Sequence, residues 1–163
     1  LLDRSPTSVI SYPLLGRGER FPFAASRARS FMVGEPEDRA SLLAAHMEGV
    51  ACLERMAYEL VENLGADVDE TICSTGGGAN SEPWLQIRAD TLQRTVVRPE
   101  KTGASMGASI VAACAAEKCG LAEAAREMVR VEKKVSPRGR LSHLYAEKYE
   151  RFCEECRRRE YPV

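Results

Sequence analysis

Residues Ile72-Cys73-Ser74-Thr75-Gly76-Gly77-Gly78-Ala79-Asn80-Ser81-Glu82-Pro83-Trp84 decide how this chain is read. A short run of strand formers, Thr71-Ile72-Cys73, enters three consecutive glycines, and Ser81 with Pro83 marks the start of an amphipathic helix. The expected unit is strand, glycine turn, helix. Three residues without Cβ let the backbone approach a flat ligand closely, and the free N–H groups at the helix start can face polar ligand atoms. That geometry suits a nucleotide. The motif is not a Walker A loop, because no Gly-Lys-Ser/Thr follows, and it is not GxGxxG, because Asn80, Ser81 and Glu82 fill the later positions. On spacing alone, a tight strand-to-helix connection with no ligand accounts for it equally well.

Upstream of this turn, Asp38 to Leu64 carries the longest helix signal. Leu43, Met47, Val50, Leu53, Ala57, Leu60, Val61 and Leu64 recur at three- and four-residue spacing and predict a core-facing stripe, with Gly65 as the stop. Glu48-Gly49 interrupts the stripe, which points to close packing or ligand approach at Gly49. His46 lies on or beside the stripe and reads as a packed or rim residue rather than a ligand. Short strands are expected at 8–12 and 30–33, separated by a loop in which the adjacent pair Glu19-Arg20 is solvated or fixes the loop by a local ion pair, with binding of an anion or a substrate hydroxyl as the alternative.

Downstream, the helix ending at Leu92 carries Trp84, expected to plug the core or to wall a pocket, and Asp90, read as a structural acceptor rather than a general base. A strand at 95–98 is followed by a helix of small residues from about Gly103 to Cys119, expected to pack tightly against sheet and loop. A short helix near 121–130, a charged extended piece at 131–135 and a last helix over about 141–159 complete the chain. Cys153 and Cys156 form a CxxC inside that last helix, on the face of Leu144, Tyr145, Tyr149 and Phe152. They read as core, not as a metal or redox pair.

At 163 residues, with 23 basic and 24 acidic side chains, the chain suits one domain whose partner is a small molecule or another protein. Nucleic acid and membrane surfaces are not expected partners. Six scattered cysteines indicate reduced thiols. No run reaches the length of a membrane span, and Leu1-Leu2-Asp3-Arg4 lacks signal-peptide organisation, so the expected location is the cytoplasm. Without an initiator Met and opening in mid-pattern, the chain reads as a fragment or a processed piece of something longer.

Several stretches together resemble the C-terminal half of the FGGY family of carbohydrate kinases, nearest to its xylulokinase-like members. Tyr12-Pro13-Leu14-Leu15 with Gly18-Glu19-Arg20-Phe21-Pro22 is similar to the family's PYL-x-GERTP, and Glu48-Gly49-Val50-Ala51 to its EGVA. Thr75-Gly76-Gly77-Gly78-Ala79, followed by Trp84, Gln86, Ile87, Ala89, Asp90 and Leu92, resembles TGGGA…W-x-QI-x-AD-x-L, and Gly103 to Ala108 resembles GALGAA. Pro137, Tyr145 and Tyr149 are like the family's tail.

The resemblance implies an α/β fold, a partial actin-like ATPase (ribonuclease-H-like) domain with a small mixed sheet, built from the four strands above, flanked by helices. Residues 1–163 would be an incomplete C-terminal domain, lacking the N-terminal half and the start of the second domain. The implied role is the ATP-binding part of a kinase that moves the γ-phosphoryl group of ATP to a pentulose-like sugar or polyol hydroxyl. A non-catalytic nucleotide- or protein-binding module derived from such a kinase is the alternative. Gly76, Gly77, Gly78, Ala79, Asn80, Ser81 and Glu82 would form the nucleotide-binding stretch. Glu19 and Arg20 would order the domain or cleft. Gly34-Glu35-Pro36-Glu37-Asp38 departs from the family's longer, more apolar segment. The family's Asp-x-Gly-Thr and Gly-Thr phosphate loops and its catalytic Asp have no counterpart in this sequence, so no catalytic residue or metal ligand is assigned within it. Magnesium is expected with ATP, on ligands outside the chain. The implied partners are ATP or ADP, the sugar, and the kinase's own N-terminal half, with a homodimer left open.

Overall fold

The structure, a computed structural model, describes all residues 1–163. Two core clusters share the long helix α1 (Arg39–Asn63) between them. Asp38 starts this helix through a capping box: its carboxylate accepts the Ser41 N–H at 2.7 Å while the Ser41 hydroxyl accepts the Asp38 N–H at 2.9 Å. Gly65, at φ +91°, lets the chain leave the other end.

The buried face of α1 is not the predicted stripe. Ala44, Ala45, Glu48, Gly49, Ala51 and Cys52 face inward, whereas Leu43, Val50 and Leu64 are 53%, 43% and 78% exposed. The reason is the closeness of the neighbouring backbone. A Cβ on Gly49 would sit 2.0 Å from the Ser11 carbonyl oxygen and 3.0 Å from Cδ of Pro13. At Gly49, where α1 crosses β1 (Ile10–Tyr12), no side chain fits, and Leu43 and Val50 are turned outward while Leu53 and Met56 still pack against the core. Packing, not a ligand, explains Gly49.

The strands do not form the single sheet expected. β1 pairs antiparallel with β2 (Phe31–Val33) as a separate two-stranded ribbon. The second sheet has the order β3–β4–β5, with β3 (Thr71–Cys73) parallel to β4 (Thr95–Pro99), and β5 (Val131–Val135) antiparallel to β4. The parallel pair requires a crossover, supplied by α2 (Glu82–Leu92). On one side of this sheet Leu85, Ala89 and Leu92 of α2 pack on Ile72, Val96 and Val135.

The ribbon belongs to the other cluster, where Ile10, Tyr12 and Phe23 meet Phe152, Cys153 and Cys156 of α5 (Ser142–Arg158). Tyr12 stacks on Phe152 with ring centroids 5.9 Å apart. Both cysteines of the CxxC are thus core residues beside Tyr149 and Phe152, whereas Leu144, expected on the same face, is 38% exposed, and burial pushes the Cys156 thiol up to about 12. The small-residue helix α3 (Ala104–Glu117) corrects a further expectation: it buries no residue against sheet or loop, and its neighbour is the short helix α4 (Leu121–Met128).

Candidate functional site

The glycine turn leaves the C-terminal end of β3, where strand-to-helix turns of α/β sheets present backbone to ligands. Ser74, buried at the strand exit, donates its N–H to the Val97 carbonyl at 2.7 Å, which continues the parallel ladder by one step. Gly76 takes φ +79°, a left-handed value that favours glycine, and its N–H donates to the Thr102 carbonyl at 3.0 Å. That bond ties the turn to the segment opening α3. A single 3₁₀ turn, Gly77–Asn80, follows, closed by the Ala79 N–H to Gly76 oxygen and the Ser81 N–H to Gly78 oxygen, both at 3.1 Å. The amides of Gly77 and Gly78 take no part in these bonds and lie on an exposed stretch.

Of the seven residues singled out from sequence, the structure keeps Gly76 to Glu82 contiguous on this one turn and divides their tasks. Gly76 and Gly77 face open space, and Gly78 lies under the indole of Trp84. Ala79 is buried and Asn80 is exposed. The Ser81 hydroxyl accepts the Trp84 N–H at 3.4 Å and so caps α2. The Glu82 carboxylate pairs with Lys133 at 2.8 Å, and that hydrogen bond holds it below the usual carboxylate range. Asn80 therefore has the one polar side chain in 76–82 with no partner within the chain.

Trp84 is half-buried, with an ideal Gly78 Cβ 3.5 Å from its Cδ1 and Nε1. It stands beside the turn, outside both core clusters, and the Arg88 guanidinium lies 5.7 Å from its ring centroid. Arg88, to which the sequence gives no evident role, braces the entry to the turn. Its Nη1 donates to the Ser74 hydroxyl at 2.6 Å, while Nε and Nη2 hold both oxygens of Glu54 at 2.8 and 2.6 Å. A bidentate pair thus links α1 and α2 to the residue that enters the turn. The signal was an Arg three positions beyond Leu85 and one before Ala89, on the face that carries core residues.

The other candidates are placed away from the turn. Glu19 accepts the Tyr12 hydroxyl at 2.7 Å and the Arg20 N–H at 3.0 Å, so it orders the loop between β1 and β2. Burial and then this carboxylate drive the Tyr12 hydroxyl far above its ordinary value. His46 shares a 2.8 Å hydrogen bond between Nδ1 and the Ser11 hydroxyl. Asp90 is buried and fully engaged: it accepts Arg138 N–H at 2.7 Å, Arg138 Nε at 2.8 Å and Gln86 Nε2 at 3.1 Å. Its role is structural. The larger clefts, about 450 Å³ beside Phe23, Met56 and Tyr149, about 540 Å³ beside Tyr12, Leu15 and Met32, and about 450 Å³ beside Ala25, Arg29 and Tyr161, are not lined by the turn.

Comparison with known proteins agrees with this architecture. Residues 2–116 match the FGGY family of carbohydrate kinases, C-terminal domain. The chain is 37% identical over 99 residues to the xylulose kinase of Bacillus subtilis, covering 59% of this chain and 20% of that protein. It is 32% identical over 142 residues to the FGGY carbohydrate kinase domain-containing protein of Danio rerio, covering 83% of this chain and 26% of that one. The fold superposes on xylulose kinase from Lactobacillus acidophilus with a TM-score of 0.78 at 23% identity, over 91% of this chain and 31% of that one. The chain thus spans between a fifth and about a quarter of the length of these curated relatives.

Proposed function

The chain belongs to the FGGY family of carbohydrate kinases, matching its C-terminal domain, and from that premise we propose that it is the ATP-binding part of a sugar kinase. In this reading residues 1–163 form an incomplete C-terminal domain. The whole protein transfers the γ-phosphoryl group of ATP to a hydroxyl of a pentulose-like sugar or a polyol. The observation that carries the nucleotide assignment is the exposed turn at Gly76–Asn80, with its two unengaged glycine amides, no side chain above Gly76 and Gly77, and Trp84 beside Gly78. Backbone without Cβ is what a planar purine and its ribose can approach closely.

Within this chain, Gly77, Gly78 and Ala79 would lie against the nucleotide and Asn80 would reach its adenine or ribose edge. Ser81 and Glu82 act at one remove, because capping α2 and pairing with Lys133 occupy their side chains. Gly76, through Thr102, keeps the turn in register with α3. The residues that orient the sugar hydroxyl and neutralise charge on the γ-phosphoryl group are assigned to the remainder of the kinase, as are the ligands of the magnesium ion that accompanies ATP. Closure of the two halves would exclude water from the reacting atoms. The pentulose preference rests on the relatives named as xylulose kinases.

A second reading, a nucleotide- or protein-binding module without chemistry of its own, is favoured by the outward-facing Leu43 and Val50 of α1 and by an α3 that buries nothing. Protein produced from its own gene and assayed for ADP release against a panel of ketopentoses, aldonates and polyols separates the two. The kinase reading predicts ADP release that requires one class of sugar. Nucleotide binding without turnover supports the module, and ATP turnover indifferent to every sugar contradicts phosphoryl transfer to a sugar.

A further inference from the structure

The turn joining α3 to α4 brings two of the six cysteines together. Lys118 closes α3 in the left-handed conformation, φ +52° and ψ 35°, so the chain doubles back and Cys119 returns over the last turn of the helix. Cys114 lies on that turn, and its Sγ–H donates to the Cys119 carbonyl at 2.7 Å. Both residues are half-buried with free thiols. The remaining cysteines are placed differently: Cys52, Cys153 and Cys156 are buried in the core, and Cys73 is exposed on β3.

We propose that Cys114 and Cys119 are an oxidisable dithiol that closes to an intrachain disulfide when a low-molecular-weight disulfide such as glutathione disulfide is present. One cysteine thiolate attacks a sulfur of the oxidant, which forms a mixed disulfide and expels one molecule of thiol. The second cysteine thiolate then attacks the protein sulfur of that mixed disulfide and expels the other. Two S–H bonds are lost, one S–S bond forms, and the oxidant is reduced to two thiols. Partial burial and the neighbouring Cys114 hold the Cys119 thiol above its ordinary value, so exchange quickens at mildly alkaline pH.

The position gives the bond a consequence. Helix α3 buries no residue of its own, and its opening segment holds the glycine turn through Thr102 and Gly76. A short covalent ring around Lys118 would fix the turn between α3 and α4, at the end of a helix that buries no residue of its own.

Trypsin reads the outcome directly, because Lys118 lies between the two cysteines. The full chain is incubated with glutathione disulfide until Cys73, the exposed reference thiol, is converted, then acid-quenched, alkylated and digested without reductant. The expected result is one species in which the peptide ending at Lys118 stays joined to the peptide beginning at Cys119. In Cys119→Ser that joined species is lost and Cys114 carries the glutathione adduct instead. Wild-type protein in which Cys114 and Cys119 are each free or separately glutathionylated, while Cys73 is converted, overturns the proposal. A disulfide between Cys153 and Cys156 in place of the joined species overturns it equally.

Discussion

The Lys148 ammonium lies 2.8 Å from a carboxylate oxygen of Glu48, and both side chains are buried where the N-terminal segment, α1 and α5 meet. Around the pair every polar group is answered. Lys148 also donates to the carbonyls of Thr7 at 2.7 Å and Val9 at 2.6 Å, and Glu48 accepts the Thr7 hydroxyl at 2.8 Å and a hydroxyl from Ser5. Removing one partner leaves a buried charge without its counterion, a change that costs on the order of 3–5 kcal/mol. Lys148→Met is therefore expected to lower the urea midpoint sharply, and Glu48→Gln likewise. The double variant should lose clearly less than the sum of the two. Strict additivity in that cycle would show that the ion pair does not couple α1 to α5.

Gly49 and Gly107 make opposite predictions for the same substitution. At Gly49 a methyl group meets the Ser11 carbonyl at 2.0 Å, backbone that cannot rotate away, so Gly49→Ala should destabilise by about 1–3 kcal/mol through overpacking. Gly107 lies inside α3 with nothing within 4 Å of its ideal Cβ. There Gly107→Ala should stabilise by about 0.5–1 kcal/mol through helix propensity. Thermal unfolding of the two variants beside wild type checks both signs at once.

Stability should fall on the alkaline side before the core is breached. Burial raises the Tyr145 hydroxyl from its ordinary 10.0 to about 12, where it shares a 3.0 Å hydrogen bond with the Ser5 hydroxyl. The folded state thus holds this proton more tightly than the unfolded chain does. Its contribution is complete below the unfolded value of 10.0 and is lost as pH rises towards about 12. Denaturant midpoints across that window, followed with tyrosinate absorbance, should decline in wild type and decline less in Tyr145→Phe. Parallel pH profiles would exclude Tyr145 from the groups, Tyr12 and Tyr149 among them, whose raised values make stability fall in this window.

Local chemistry was the part of this fold legible in the sequence. Asp38 and Gly65 bounded α1, Ser81 and Pro83 announced α2, and the buried side of α5 followed from Tyr149, Phe152, Cys153 and Cys156. Distance-dependent facts were not legible. The apolar stripe of α1 is only partly buried: the backbone of β1 comes so close at Gly49 that the helix turns Ala44, Ala45 and Glu48 inward and leaves Leu43 and Val50 outside, while Leu53 and Met56 keep to the core. Nothing in a linear pattern says that the strands at 10–12 and 31–33 pair with each other and not with the later sheet. The charged segment Val131–Val135 becomes a strand because β4 offers it an edge and Glu82 and Arg98 pair with Lys133 and Glu132. At the turn, the glycines were visible, but the division of labour among Asn80, Ser81 and Glu82 depends on Trp84 and Lys133, partners that only the folded chain supplies.

The most direct test of the central claim is calorimetric titration of ADP into wild-type protein and into Gly78→Val. An ideal Cβ at position 78 stands at ordinary contact distance, 3.5 Å, from Cδ1 and Nε1 of Trp84, and thermal unfolding checks that the fold accepts the two further methyls of valine. The branched methyls would fill the space between the turn and Trp84 and keep a flat ligand from both. The account predicts ADP binding by wild type and an affinity at least about tenfold weaker, or about 1.4 kcal/mol, in the variant. Equal affinity in the two proteins, or no binding by the wild type, would contradict it.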